Sequence, residues 1–334
     1  MADVTCMVKI VGSNINIHSS VKIGKNVKIV SDDIFIDEGT VIGDNTMIVA
    51  WEKLVIGKFC VIRPNAKIRV RSLEIGDFFF SDDNPRPLII GGGGSNGPTA
   101  KIKIGKQCVI HDSYINVFMP VEIGDNVGLS PSSDIITHGF WNSILKGFNV
   151  KYGAVKIGSG CILGYRSLIL PNVTLGNNVS VGAGAVVTSS FPDNVVIGGV
   201  PAKVISGSSD YPIKLSESEK EKIVCELMYG YAESLKDKVD SVSIVQNDDT
   251  ILITGLYDGN QFFVSSCSEG ILVKYYTEFI MYLDSETWEG NDNTISDDLR
   301  DYLRHYGIRI FSRRFKSIRN KIEVKLRNLN DRQK

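Results

Sequence analysis

An aliphatic residue returns at every sixth position along the first two-thirds of this chain of 334 residues. The run opens at Ile17, Ile23 and Ile29, slips to Ile36, Ile42 and Ile48, then slips again to Ile56, Ile62, Ile68 and Ile75. It resumes at Ile104 and Ile110, then Ile123, Leu129 and Ile135. It closes unbroken through Ile157, Leu163, Ile169, Leu175, Val181 and Val187. Neither the helical period of about 3.6 residues nor the alternation of a strand gives this spacing. Short fixed-period self-similarity marks a solenoid, and a hexapeptide period belongs to parallel β-helices. Each hexad then supplies one short strand and one turn, and three successive hexads close one coil of a prism.

The prism makes a second demand on the sequence. The aliphatic residue points inward and a small residue after it fits the corner, as in Ile23-Gly24, Ile56-Gly57 and Ile104-Gly105. The position four after the aliphatic shares the crowded interior, so it also has to be small. Cys60, Cys108 and Cys161 fill that slot, as do Val27, Val127, Ser167, Val173, Val179 and Ala185 elsewhere. Three of the six cysteines are thereby accounted for as small buried hydrophobes. No CxxC pair and no metal-ligand spacing occurs among them, so reduced thiols and no metal are expected.

Slips of one residue, from Ile29 to Ile36, and of two, from Ile48 to Ile56, fall between coils, where a corner absorbs them. Two breaks are longer. One runs from about Phe78 to Ala100 and holds Asn84-Pro85-Arg86-Pro87 and Gly91 to Gly94. The other runs from about Gly139 to Lys156. Both read as loops projecting from the prism, and loops of that length in compact folds tend to carry function.

The repeat ends near Ile205, which places a β-helical domain at 1–205. Residues 206–215 read as a linker, rich in Ser and Gly before Pro212. Residues 216–334 read as a small α+β module. Ser216-Glu217-Ser218-Glu219 has the capping-box pattern of a helix start, and a second helix is expected to begin at Ser296-Asp297-Asp298. Strands are expected at Val242 to Val245, Thr250 to Thr254, Gln261 to Val264 and around Tyr276 to Leu283. From Arg304 to Lys334 eleven Lys and Arg stand against Glu323 and Asp331. Phe311, Phe315, Ile318, Ile322, Leu326 and Leu329 recur there at helical spacing. Two readings stay open for this basic amphipathic helix. It docks on an anionic glycan or on inner-membrane lipid headgroups as a peripheral contact, or it packs its apolar stripe on its own module.

Composition narrows the function classes. A net charge of −1 does not favour nucleic-acid binding. No apolar run is long enough to span a membrane. The start Met1-Ala2-Asp3-Val4-Thr5-Cys6 lacks the basic and apolar regions of a secretory signal, so a cytoplasmic protein is expected, at the inner face of the membrane if the basic tail binds there. Histidine occurs only at positions 18, 111, 138 and 305. Of these, His138 sits where the frame breaks into a long loop, in Ile136-Thr137-His138-Gly139-Phe140-Trp141.

At these residues the chain resembles the hexapeptide-repeat (left-handed β-helix) acetyltransferases of the sugar and polysaccharide O-acetyltransferase type. The motif Thr137-His138-Gly139 precedes a loop and a full set of hexads. The closing stretches Ile169-Leu170-Pro171-Asn172-Val173-Thr174-Leu175-Gly176, Val181-Gly182-Ala183-Gly184-Ala185-Val186-Val187-Thr188 and Gly199-Val200-Pro201-Ala202-Lys203-Val204-Ile205 match the family's end signature. The resemblance covers about residues 10–205. It implies a mainly β, left-handed parallel β-helix, acetyl-CoA as co-substrate, a homotrimer with sites between neighbours, and His138 as general base. It carries donor contacts onto Gly164, Tyr165, Ala183, Thr188 and Lys203. Departures are Ile162 where the family often has tryptophan, and Ser189 where it often has lysine.

A hydroxyl is a weak nucleophile at neutral pH, and a thioester is a good electrophile. A histidine titrating near working pH can take the hydroxyl proton during attack. His111 takes the place of an asparagine that often contacts the acceptor; it either does so here or merely occupies a turn. Phe140 and Trp141 either stack on a sugar or anchor the loop. The expected function is O-acetylation of a hydroxyl on a bacterial surface polysaccharide (capsule, O-antigen or exopolysaccharide) or its precursor. The alternatives are N-acetylation of an amino sugar or nucleotide-linked amino sugar, and a non-catalytic β-helical scaffold.

Overall fold

A computed structural model describes residues 7–82, 86–139, 142–207, 211–247, 250–267 and 270–310. The chain divides into two compact units, Met1–Lys214 and Leu215–Lys334.

The first unit is a parallel β-helix with three faces. The first face stacks Asn14–Ile17, Asp33–Ile36, Lys101–Ile104, Val121–Ile123, Val155–Ile157 and Thr174–Leu175. The second stacks two-residue strands such as Val109–Ile110, Gly128–Leu129, Ile162–Leu163 and Ser180–Val181. The third carries Ile89–Gly91, Tyr114–Asn116, Asp134–Ile135, Leu168–Ile169 and Val186–Val187. Coil stacks on coil in register, so Ile68, Ile90, Ile115 and Ile135 form one inward column. The hexad aliphatics from Ile29 to Val187 are buried; Ile17 and Ile23, in the terminal coil, are half-buried. The slip between Ile48 and Ile56 is absorbed as a ladder irregularity between Ala50 and Lys53 in the long strand Met47–Ile56, which turns a corner. At the far end Val195–Gly199 folds back antiparallel on Ala202–Gly207 and closes the stack.

The corner chemistry separates into two roles that the repeat alone did not distinguish. The glycine after the aliphatic is there for close approach. A Cβ on Gly43 would lie 2.5 Å from the Pro64 nitrogen of the next coil. The left-handed backbone falls two positions later, on Asn26, Asn45, Asn65, Asn126, Asn172 and Asn178, with φ between 54° and 68°. Asparagine tolerates that region better than other side chains bearing a Cβ. The small slot holds as expected, with Cys60, Cys108, Val127, Ser167, Val173 and Ala185 all fully buried. Phe79 places a large buried ring in that slot, just before the second-face strand Phe80–Ser81. The break expected as one projecting loop from about Phe78 to Ala100 is in part stacked coil, since Phe80–Ser81 pairs with Val109–Ile110 and Ile89–Gly91 with Tyr114–Asn116.

In the second unit, helix α1 (Glu217–Leu235) starts at a complete capping box between Ser216 and Glu219. Six antiparallel strands follow in chain order, from Ser241–Asn247 to Thr287–Gly290. Two of them, Gly270–Tyr275 and Thr287–Gly290, had no counterpart in the strands expected from sequence. Helix α2 (Thr294–Arg304) begins earlier than expected: Asn293 is its cap, and Ser296 is the reciprocal partner in the box. Leu227, Tyr231 and Leu299 of the helices pack with Ile253, Phe262, Val264, Val273 and Phe279 of the sheet. The basic stretch 311–334 lies outside the described residues.

Candidate active site

The third-face strand Asp134–Ile135 leads through Ile136 and the buried Thr137 to His138. There the chain leaves the prism in a short antiparallel hairpin, His138 opposite Tyr152 and Gly139 opposite Lys151. The imidazole thus stands at the rim of a rigid stack, at the foot of a projecting loop.

A chain of hydrogen bonds settles which imidazole nitrogen carries the proton. The backbone N–H groups of Phe118 and Met119 donate to Thr137 Oγ1 at 3.0 and 3.1 Å. With its acceptor side occupied, the Thr137 hydroxyl donates to Asn116 Oδ1 at 2.7 Å. The Asn116 amide nitrogen in turn donates to the Gly91 carbonyl at 3.3 Å and to Tyr114 Oη at 3.4 Å. The amide is therefore fixed at both ends. Its oxygen lies 2.8 Å from His138 Nδ1. An amide oxygen can only accept, so Nδ1 bears the hydrogen and Nε2 keeps its lone pair. Asn116 orients the ring without adding a negative charge. Burial then holds the imidazole below its ordinary pKa of 6.5, which favours the neutral base at neutral pH.

Around this imidazole lies an aromatic cluster. The Phe118 ring is 4.9 Å from the imidazole and 5.3 Å from the Tyr152 ring, near-parallel to the latter at 26°. On the side of the preceding coil runs Gly91 to Gly94. A Cβ on Gly92 would meet Asn116 Nδ2 at 2.4 Å, and one on Gly94 would meet the Phe118 ring at 2.5 Å. The glycine loop thus lies directly on the groups that hold the histidine.

The family described as bacterial transferase hexapeptide (six repeats) matches residues 154–189. Protein CapG of Staphylococcus aureus is 42% identical over 129 residues, covering 35% of this chain and 72% of its own length. WcaF of Escherichia coli K12, provisionally named a colanic acid biosynthesis acetyltransferase, is 30% identical over 151 residues, 45% of this chain and 67% of its own. The chain belongs to the hexapeptide-repeat acetyltransferase family. The galactoside O-acetyltransferase of Escherichia coli K12 is 36% identical over 92 residues, 27% of this chain. That match spans 45% of the enzyme's own length, so there the likeness is to part of the relative.

The residues expected to contact the donor fall at two edges of the third face. Gly164, Tyr165 and Ala183 stack at the edge where the second face passes into the third: a Cβ on Gly164 would lie 2.7 Å from Ala183 N, and Gly184 N donates to the Tyr165 carbonyl at 2.8 Å. Lys203 pairs with Gly198 in the closing hairpin above that column and is exposed. Tyr165 is also exposed, with the Arg166 guanidinium 5.1 Å from its ring centre. Thr188 follows Val186–Val187 at the other edge, the one that carries His138 two coils away. His111 follows the second-face strand Val109–Ile110, at the edge opposite His138, with Nδ1 3.4 Å from Asp82 Oδ2. Phe140 and Trp141 lie outside the described residues. Asp134, near His138 in sequence, is turned elsewhere: it accepts from Tyr114 N and from Arg86 Nη2 at 2.8 and 2.6 Å. Among the described residues no group of three potential metal ligands occurs.

Asn116 was not among the residues singled out from sequence, yet a signal was present. Position 116 is six after Ile110, where an aliphatic is due. The structure puts Ile115 in the inward column and buries Asn116 beside it. A buried amide in an aliphatic slot needs partners, and those partners are Thr137 and His138.

Proposed function

We propose that the chain is an acetyl-CoA-dependent O-acetyltransferase acting on a hydroxyl of a bacterial surface polysaccharide or its precursor. The observation that carries this reading is His138, oriented by Asn116 with Nε2 unprotonated at the mouth of the loop. The acceptor hydroxyl gives its proton to Nε2 as its oxygen attacks the thioester carbonyl. The C–S bond breaks, and the departing thiolate receives the proton from the imidazolium. The imidazole thus acts as base and then as acid, and no acyl-enzyme is needed. The polysaccharide acceptor is supported by the relative named for colanic acid biosynthesis.

On the donor side, the column of half-buried Gly164 and exposed Tyr165, Ala183 and Lys203 suits the extended coenzyme, with Lys203 as a point charge for a phosphate. That column and His138 occupy opposite edges of one face. A threefold assembly, in which one subunit's edge meets its neighbour's, would join them in one site. The test is free-thiol release from acetyl-CoA against a panel of de-O-acetylated bacterial polysaccharides and amino sugars. Acceptor-dependent release by the native enzyme, with kcat reduced on the order of 10²–10⁴-fold in His138→Ala, is the expected result. An alkali-stable product would mark an amide and overturn O-transfer. Failure to bind acetyl-CoA would overturn the transferase reading.

A further inference from the structure

We infer that the third face of the β-helix is a cationic track for an acidic polysaccharide, which lies across the coils and brings a hydroxyl to His138. The inference rests on the transferase reading and names the charge class of its acceptor. Below the site this face is built from Lys9–Val11, Lys28–Val30, the starts of the long strands Met47–Ile56 and Lys67–Ile75, then Ile89–Gly91 and Tyr114–Asn116. Ile29 and Ile68 are buried in the interior, so their strand neighbours Lys28, Lys67 and Arg69 face outward. Lys9 stands in register with Lys28. All four cations are exposed. Among the described residues none of the four has a carboxylate partner, and the Arg69 guanidinium lies 5.9 Å from the Trp51 ring centre.

None of these strand segments up to Asn116 holds an acidic residue, and Asp134 in the next coil is engaged by Arg86 at 2.6 Å. The acids Asp32, Asp44 and Glu52 stand at corners instead. There Asp44 accepts from Lys25 N at 2.8 Å, and Glu52 from Arg71 Nη2 at 2.6 Å. The whole chain carries a net charge of −1, so the cationic surface is a local feature of this face. It leads to the site: the column of Arg69 continues through Gly91, which adds no side chain, to Asn116, the group that holds His138. Strands stack about 4.8 Å apart, which puts Arg69 about 14 Å and Lys9 about 29 Å below the His138 coil. A single sugar seated at Nε2 cannot touch these cations. A polymer running along the prism meets one after another, and several weak charge contacts on one chain add up.

Fluorescence polarisation of labelled polymers tests this on the full chain without acetyl-CoA, so it reads the face independently of catalysis. The probes are de-O-acetylated uronic-acid polysaccharides, each beside its carboxyl-reduced, neutral form. The native protein should bind the acidic form on the order of tenfold tighter or more, and lose on the order of tenfold in affinity when salt rises from about 50 to about 200 mM. In the combined variant Lys28→Gln, Lys67→Gln, Arg69→Gln the preference for the acidic form should fall toward one. Lys9→Gln should weaken long chains while leaving fragments of one or two sugars as they were. Thiol release with the same polymers should show the same preference in the acceptor KM. Equal affinity of the native protein for acidic and reduced polymers overturns the inference and leaves the transferase reading intact. A preference undiminished in the combined variant overturns the third face as the track. Displacement of the acidic polysaccharide by single-stranded DNA more strongly than by its own unlabelled form overturns the glycan as occupant. Acidic polymer that is bound yet never acetylated overturns the transferase reading and leaves the track standing.

Discussion

At the scale of single residues, the site depends on an uncharged orienting group. Asn116 accepts from Nδ1–H of His138 without placing a negative charge beside the ring, and burial disfavours the charged form. The acid limb of kcat/KM should therefore have its midpoint below the ordinary 6.5. Asn116→Asp places a carboxylate beside Nδ1–H and favours the protonated ring. It should move that midpoint to higher pH, whereas a purely structural role for Asn116 would lower the rate without moving it. Asn116→Ala removes the acceptor for Thr137 and for Nδ1, and kcat should fall on the order of tenfold to a hundredfold. The cysteines make the opposite case, of polarisable groups with no chemistry. Burial pushes the Cys60 thiol up to about 12 and raises Cys161 as well. Their Sγ–H groups, with that of Cys108, point at carbonyls of Gly76, Gly176 and Gly124 at 3.1–3.2 Å. Mass spectrometry after alkylation of the folded protein should find all three unmodified, and all three labelled in denaturant.

At the scale of elements, each coil is locked to the next by what its corner lacks. A Cβ on Gly124 would lie 2.7 Å from Ser159 N of the coil above. Gly124→Ala must push two coils apart, and a loss of about 1–3 kcal/mol in chemical denaturation is expected. The first projecting loop is pinned in a different way. Arg86 donates through Nε to the Asp112 carbonyl at 2.6 Å and through Nη2 to Asp134. Asp112 is fully buried and also accepts from Ser132 N at 2.8 Å. The hexad frame announces where such a loop leaves the prism. It says nothing of this clamp, because the clamp joins residues 48 apart that meet only after the coils have stacked.

At the scale of the whole molecule, a solenoid is stabilised coil by coil through nearest neighbours. Among the described residues the first coil has a neighbour on one side only, and Val11 and Ile15 stay exposed there. Hydrogen exchange should be fastest in the strands Lys9–Val11 and Asn14–Ile17 and slowest in the central coils around Ile104 to Leu163. Equal protection throughout would contradict a nearest-neighbour solenoid. The hexad period by itself determined the coil, the inward aliphatics and the small slot. These are local matters of which side chain faces a narrow interior, and they repeat. His138 drew notice from the sequence for a related reason, as the histidine at the point where the period fails, and its role as base is the proposal made above. The rest of the site was not. Asn116 is 22 residues from His138 in sequence and reaches it only because their strands lie in neighbouring coils of the third face. The same stacking carried His111 to the opposite edge, turned Asp134 toward Arg86, and set Phe118 beside the imidazole. Which side chains share a site depends on register between coils. A periodic sequence fixes the spacing along each coil, while contact across coils is decided only when the whole stack has closed.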